Sequence, residues 1–229
     1  MVEQALQLLE QADVAAAVKL LEKQADPLTA AAAYNDLAKE LYWQQRDIAK
    51  VVAVCQAGIR FCFQQAEESG ARNREKAIAL LSAAKQLAYN LASFTWPGWP
   101  ESRIEITPLQ IADGMDGARL NLRLALKLDK DDLALSRAYW MLAGHLLAAN
   151  ATAGAGANYQ RAAMYAERAG EEAEYLLSLA FTALISWMAE PQSNGRRFAY
   201  EVARESVAEM ENGQDYLEQL DSARKAFFS

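Results

Sequence analysis

The stretch at residues 118–147 reads ARLNLRLALKLDKDDLALSRAYWMLAGHLL and decides the fold class. Its first half alternates leucine with other residues from Leu120 to Leu128, and such alternation is typical of a half-buried strand. The residue types favour a helix instead, because Leu, Arg, Ala and Lys are strong helix formers and no β-branched or aromatic residue interrupts them. Wound as a helix, the segment carries two neighbouring apolar stripes, one with Leu122, Ala125 and Leu126 and the other with Leu120, Leu124 and Leu128. We therefore predict an inner helix covered on two sides, then an acidic turn and a second helix.

The composition of the whole chain points in the same direction. Of 229 residues, 52% are apolar, which excludes general disorder. Ala and Leu dominate this fraction, so we predict an all-α fold. The net charge of −7 argues against a nucleic-acid or anionic-membrane partner, because binding to phosphates needs concentrated Lys and Arg.

Proline and glycine divide the chain into about 10 or 11 predicted helices, and none of the five prolines falls inside one. Asp26-Pro27 and Thr107-Pro108 are typical helix starts, with a capping side chain followed by proline at the first helical position. Residues 95–107 are predicted to form a long insertion loop, and residues 151–157, ATAGAGA, a flexible linker. A charged helix at about 214–227 would cap the end of a single domain, residues 1–229, built of stacked antiparallel helical hairpins.

Two cysteines, Cys55 and Cys62, lie seven residues apart in one predicted helix. A rise of 1.5 Å per residue separates them by roughly 10 Å, too far for a disulfide. We expect both to be buried thiols in a reducing compartment. The first residues carry no basic segment typical of a signal peptide, and the uncharged runs are short or interrupted. These observations predict a cytoplasmic protein without a membrane span.

The central stretch resembles the tetratricopeptide family. Its first helix places Ala118, Leu122 and Ala125 before an acidic turn, and its second carries an aromatic residue followed by small ones, at Trp140, Ala143 and Gly144. Leu-Ala pairs recur at intervals of 50, 55 and 37 residues, whereas a regular array of this family repeats at about 34. The resemblance implies divergent repeats stacked into a right-handed superhelix. An irregular helical bundle is the alternative.

Proteins of that family bind peptides in a concave groove lined by the first helix of each pair. Carried over to this chain, the resemblance implies contacts from Asn35, Lys39 and Tyr42 of one first helix, Asn90 of another and His145 of a third, with Tyr34 as a further aromatic contact. Only one lysine is correctly placed, so a specific clamp for a C-terminal carboxylate is not expected.

Trp96 and Trp99 flank Pro-Gly in the insertion TWPGWP. Tryptophans in a loop are unfavourable in water, so both are expected to pack against the protein. They either seal the helix ends or form an aromatic wall over a groove, since long ordered loops are often functional and Trp is a frequent binding hot spot. If the loop covers an apolar pocket instead, the protein would be a small-molecule sensor or ligand-binding domain.

Residues suited to catalysis are few. The single histidine, His145, has no carboxylate or cysteine three or four positions away, and one histidine with two cysteines cannot form a standard zinc site. The acidic turn at residues 129–132 lacks the glycine and glutamate of a calcium loop. We therefore predict no metal, no cofactor and no enzymatic activity. The predicted function is a protein- or peptide-binding scaffold, monomeric or homodimeric, with a partner of unknown identity.

Overall fold

The protein is described by a computed structural model that covers residues 1–11, 13–70, 72–100 and 104–228. Within these residues the chain is all-α, with eleven α-helices and no strand, as the composition predicts. The helices are α1 (Val2–Glu10), α2 (Val14–Glu22), α3 (Pro27–Glu40), α4 (Ile48–Gly70), α5 (Arg74–Phe94), α6 (Pro108–Lys127), α7 (Asp132–Ala148), α8 (Thr152–Ala169), α9 (Glu172–Ala189), α10 (Asn194–Ala208) and α11 (Gly213–Phe227). A π-helical turn (Leu41–Gln45) directly follows α3.

The chain divides into two compact units. Unit 1 comprises Met1–Thr95 and Ile106–Leu128, and unit 2 comprises Trp96–Glu105 and Asp129–Ser229. Within each unit, helices pack against their neighbours along the chain, which is compatible with a helical repeat. In unit 1, α3 packs against both α4 and α5, so the first helices of two successive pairs are in contact. The single domain and the right-handed superhelix stay predictions.

Four helix starts carry capping bonds, and the two at Asp26 and Thr107 confirm the predictions from the sequence. The carboxylates of Asp13, Asp26 and Asp131 accept from the backbone N–H groups of Ala16, Thr29 and Ala134 at 2.8, 3.2 and 2.8 Å. At the fourth, the Thr107 hydroxyl accepts from the Gln110 N–H, while the Thr107 N–H donates to the Gln110 side chain at 2.8 Å. These bonds satisfy amide groups that the first helical turn leaves without partners.

The alternating leucine segment is helical, but its buried side differs from the expected one. Leu126 is 51% exposed, so the stripe predicted to contain it is wrong. The orientation of α6 is set by small residues instead. A Cβ at Gly117 would lie 2.9 Å from the carbonyl oxygen of Ala88, so α6 contacts the backbone of α5 at this point. This close contact turns Leu124 inward and Leu126 outward.

The predicted linker at residues 151–157 is also wrong, because α8 begins at Thr152 and includes most of this segment. Ala155 is fully buried, and the Asn158 side chain donates to the carbonyl oxygen of Gly154 at 2.8 Å. Glycine costs roughly 1 kcal/mol in a helix interior. The packing of α8 against α7 and α9 compensates for that cost. The residues next to each glycine are alanines, which favour a helix more than any other residue.

Gly58 in the middle of α4 allows three helices to meet. A Cβ at this position would lie 2.8 Å from Leu87 Cδ1 on α5 and 2.9 Å from Tyr34 Cβ on α3. Tyr34 and Leu87 are both fully buried, so neither can move aside into solvent. The contact therefore requires glycine.

We expect Gly58→Ala to lower the free energy of unfolding by about 1–3 kcal/mol, the usual cost of overpacking a core. Gly70→Ala, in the same helix, is the matched control, because a Cβ there meets nothing within 4 Å. The control should be neutral or slightly stabilising. Urea unfolding followed by circular dichroism measures both, and equal values for the two variants would contradict the packing argument.

Cys55 and Cys62 are free thiols with no exposed surface, as expected. Burial raises the pKa of both thiols to about 12. Since the folded protein then holds protons that the unfolded chain loses above about pH 9, stability should fall as the pH rises beyond that value.

In the described part of the chain, none of the helices combines the length and apolar character that crossing a membrane requires.

Alkylation by iodoacetamide tests the state of the cysteines. At pH 8 the native protein should react at least about 100-fold more slowly than the protein in urea, because only the accessible thiolate is nucleophilic. Intact-mass spectrometry over time gives both rates. Rapid native labelling of either cysteine would show that it is more accessible than this structure indicates.

Candidate functional site

The eight residues proposed from the sequence as partner contacts fall into both units. Unit 1 contains Tyr34, Asn35, Lys39, Tyr42 and Asn90, and unit 2 contains Trp96, Trp99 and His145. The structure thus brings the first five together on α3, the π turn and α5, and places the other three in a separate compact unit.

A chain of side-chain amides connects α3 and α5. Gln86 Nε2 donates to Asn90 Oδ1 at 3.0 Å, and Asn90 Nδ2 donates to Asn35 Oδ1 at 2.6 Å. Within the described residues, this leaves Asn35 Nδ2 as a donor at one end and Gln86 Oε1 as an acceptor at the other. Gln86 is exposed and Asn35 is half-buried, so a partner can reach both ends. An amide donor and an amide acceptor together match the hydrogen-bonding groups of a peptide backbone.

Lys39 lies one helical turn beyond Asn35 and is exposed. Its ammonium group is 3.5 Å from the carboxylate of Asp36, with about half of each side chain or more in water (49% and 62%). An exposed pair of this kind contributes little to stability. Separating Lys39 from Asp36 would therefore cost little free energy.

The two tyrosines proposed as aromatic contacts are buried. Tyr34 packs its ring 5.8 Å from that of Phe61, and Tyr42 stacks on Phe94 with ring centroids 4.2 Å apart. Both rings belong to the packing between helices of unit 1 rather than to its surface. The burial of Tyr34 follows from the close helix contact at Gly58, whereas Tyr42 is covered by Phe94 of α5.

Trp43 is a surface aromatic residue that our sequence reasoning missed. It lies in the π turn, is 57% exposed, and contacts Tyr42 edge-on at 4.8 Å. The signal was present in the spacing, since Asn35, Lys39 and Trp43 follow one another at intervals of four residues along one side of a helix. An exposed tryptophan held by a buried neighbour is well suited to binding, because little side-chain freedom remains to be lost.

Trp96 lies in the core of unit 2. It has no exposed surface, and its ring lies within 4.8–6.3 Å of four other aromatic rings, which are Trp99, Trp140, Phe181 and Phe227. A Cβ at Gly144 would lie 2.8 Å from Trp96 Nε1, so the indole packs directly on the backbone of α7. Trp99 is half-buried and stacks on Trp140 at 5.9 Å.

Several polar atoms in this aromatic cluster are buried without a hydrogen bond. Within the described residues, Trp96 Nε1, Trp140 Nε1 and the Tyr159 hydroxyl have no acceptor. Burial raises the pKa of Tyr159 well above its ordinary value, so the hydroxyl keeps its proton. Buried donors nearly always find a partner in folded proteins, which makes these three unusual. His145, on α7, is fully buried as well.

Metal-binding side chains are not clustered in the part of the chain that the structure covers. No three His, Cys, Asp or Glu side chains there lie close enough together to hold a metal ion. The acidic turn at residues 129–132 serves instead to start α7, through the bond from Ala134 to Asp131.

No protein-family model matches the chain, and no curated protein matches its sequence. The resemblance to tetratricopeptide proteins is supported by the structure at a coarser level, as an all-helical chain whose helices pack on their sequence neighbours.

Truncating Trp96 tests its structural role. We expect Trp96→Ala to reduce the free energy of unfolding by about 3–5 kcal/mol, as for other fully buried aromatic residues. Trp99→Ala should cost clearly less, because its ring is partly in water already. Chemical unfolding gives both values. Equal losses would mean that Trp96 is not the centre of the cluster.

Proposed function

We propose that the protein is a non-catalytic scaffold that binds a peptide or a peptide-like segment of another protein. The binding surface is the side of unit 1 formed by α3, the π turn and α5, which corresponds to the groove of tetratricopeptide proteins. The observation that carries this proposal is the amide chain joining Asn35 to Asn90, next to the exposed side chains of Lys39 and Trp43.

These residues offer three kinds of contact. The free ends of the amide chain suit a peptide backbone, Lys39 suits an acidic group, and Trp43 suits an apolar side chain. Asn35 and Trp43 are eight positions apart along α3 and the π turn, a distance of roughly 12 Å at 1.5 Å per residue. An extended peptide covers this span with about four residues at roughly 3.4 Å each. The preferred ligand is therefore a short motif with an apolar residue at one end and an acidic group near its middle.

We further propose that the protein works in the cytoplasm, as a monomer or homodimer. The two buried thiols support a reducing environment, because neither has a partner for a disulfide within the described chain.

Selection from a displayed library of random peptides tests the proposal. Wild-type protein is the bait, and an Asn35→Ala/Trp43→Ala variant with verified stability removes peptides that bind elsewhere. Leu109→Ala is the matched control, since Leu109 is a 74% exposed apolar residue of the same unit on α6. Peptides that bind wild type and the control but not the double variant would support the proposed surface. Enrichment of the same peptides on all three proteins would contradict it.

For a selected peptide, we expect Trp43→Ala to weaken binding by roughly tenfold or more, the usual effect of truncating a hot-spot tryptophan. Lys39→Ala should weaken it less at high salt than at low salt, because exposed charges are screened. Isothermal titration calorimetry measures both effects. An unchanged affinity for Trp43→Ala would remove Trp43 from the site.

A second candidate is a small-molecule-binding domain in which the loop with Trp96 and Trp99 covers the ligand. The observation that favours it is the set of three buried donors on Trp96, Trp140 and Tyr159, which a ligand with acceptor atoms would satisfy. Native mass spectrometry of the protein purified from its own cells tests this candidate. A bound compound that is lost in Tyr159→Phe would support it, and a mass equal to the bare chain would oppose it.

A further inference from the structure

A cavity of about 340 Å³ lies among α9, α10 and α11 of unit 2. Its volume is in the range of small-molecule sites. Three arginines, two carboxylates and two aromatic rings line it, namely Arg197, Arg204, Arg224, Glu201, Asp221, Trp187 and Tyr200. Arg197, Glu201 and Arg224 are exposed, so the cavity opens to solvent.

Both carboxylates of the cavity are already paired. Arg197 Nε donates to Glu201 at 2.8 Å, and Arg204 Nη2 donates to Asp221 at 2.8 Å. Arg224 makes no ion pair with any residue in the described part of the chain, so the lining carries one positive charge in excess. In a protein with a net charge of −7, a local excess of arginine is a distinct feature.

The aromatic wall of the cavity supplies a second polar group. Trp187 and Tyr200 stack with their ring centroids 5.4 Å apart. The Trp187 N–H donates to the Pro191 carbonyl at 3.3 Å, so Trp187 offers only its apolar ring to the cavity. Tyr200 is only 4% exposed, and its O–H group has no acceptor among the described residues, while the neighbouring Arg204 guanidinium is a donor toward the hydroxyl oxygen.

The hydroxyl of Tyr200 is a donor at neutral pH. Burial, and after it the negative charge of Asp221, raises the pKa of Tyr200 above its ordinary value. A buried O–H group without an acceptor is rare in folded proteins and calls for a ligand or an ordered water. Arg224, which has no ion pair in the described chain, and Tyr200 line the same cavity.

We propose that this cavity binds a small organic molecule that carries one oxyanion, either a carboxylate or a phosphate ester. Arg224 pairs with the oxyanion in a charge-assisted hydrogen bond, and the Tyr200 hydroxyl donates to it as well. The ring of Trp187 packs against the organic part of the ligand. The carboxylates of Glu201 and Asp221 stay with their arginines and limit the site to ligands of low negative charge. This site is independent of the peptide-binding surface proposed for unit 1.

Binding of simple probes to the full chain tests the proposal. Isothermal titration calorimetry with benzoate, phenyl phosphate and inorganic phosphate separates the contribution of the ring from that of the anion, with neutral benzamide as the control ligand. Benzoate or phenyl phosphate should bind at concentrations below about 10 mM. Benzamide should bind at least about tenfold more weakly, because it has no charge for Arg224.

Three variants locate the binding. Arg224→Gln should weaken binding by roughly tenfold or more and Tyr200→Phe by severalfold, since each loses a donor to the oxyanion. Lys225→Gln is the matched control, because it removes the same charge from the next exposed residue of α11, which does not line the cavity. It should stay within about twofold of wild type, because exposed charges outside the site are screened. Circular dichroism checks that each variant is folded.

The outcomes are distinct. Loss of affinity in Arg224→Gln and Tyr200→Phe but not in Lys225→Gln would support the site. Tighter binding of the aromatic probes than of inorganic phosphate would assign an organic ligand, whereas equal binding would support the anion site and remove the role given to Trp187. No binding of any probe, or equal losses in Arg224→Gln and Lys225→Gln, would overturn the proposal.

Discussion

The absence of a side chain at two helical glycines is the constraint on which each unit depends. In unit 1, Gly58 allows α4 to approach Tyr34 and Leu87 so closely that a single added carbon would collide with both. In unit 2, Gly144 does the same for the indole of Trp96. Helix contacts this close leave few positions for the neighbouring helices, because packed interiors have almost no free volume.

This constraint also separates residues that hold the fold from residues that a partner can reach. On α3 and its π turn, Tyr34, Ala38 and Tyr42 face inward, while the residues that directly follow them face outward or stay partly in water, namely Asn35, Lys39 and Trp43. One helix therefore carries a packing side and an exposed side, the one proposed for binding, that are shifted by one residue. The same division applies to α10, where Tyr200 is buried and Arg197 and Glu201 are exposed.

Local signals made much of the fold predictable. Caps such as Asp26 and Thr107, the positions of proline, and the helix-forming residues of the alternating segment all act within a few residues along the chain. The prediction of a linker at residues 151–157 was wrong because its glycines are tolerated in a helix only through packing against α7 and α9, which the local sequence does not show. The site was harder to predict. Tyr34 and Tyr42 were predicted as partner contacts by residue type, whereas their burial depends on which side of the helix packs against other helices. The cavity of unit 2 is built from three helices, so no local pattern indicates it.

The π turn at Leu41–Gln45 gives the proposed binding surface an unusual sensitivity to chain length. The backbone N–H of Arg46 donates a hydrogen bond to the carbonyl oxygen of Leu41, five residues back instead of the four of an α-helix. Arg46 then adopts a left-handed backbone conformation, which ends the π turn. Deleting one residue there would restore an α-helical turn and rotate the residues around it by about 100° about the helix axis. The core side of α3, already fixed before the turn, would remain as it is. Homologues that differ by one residue at this point would thus share the fold of α3 and expose different side chains on the proposed binding surface. Binding specificity in such a family would then diverge through insertions and deletions as well as through substitutions.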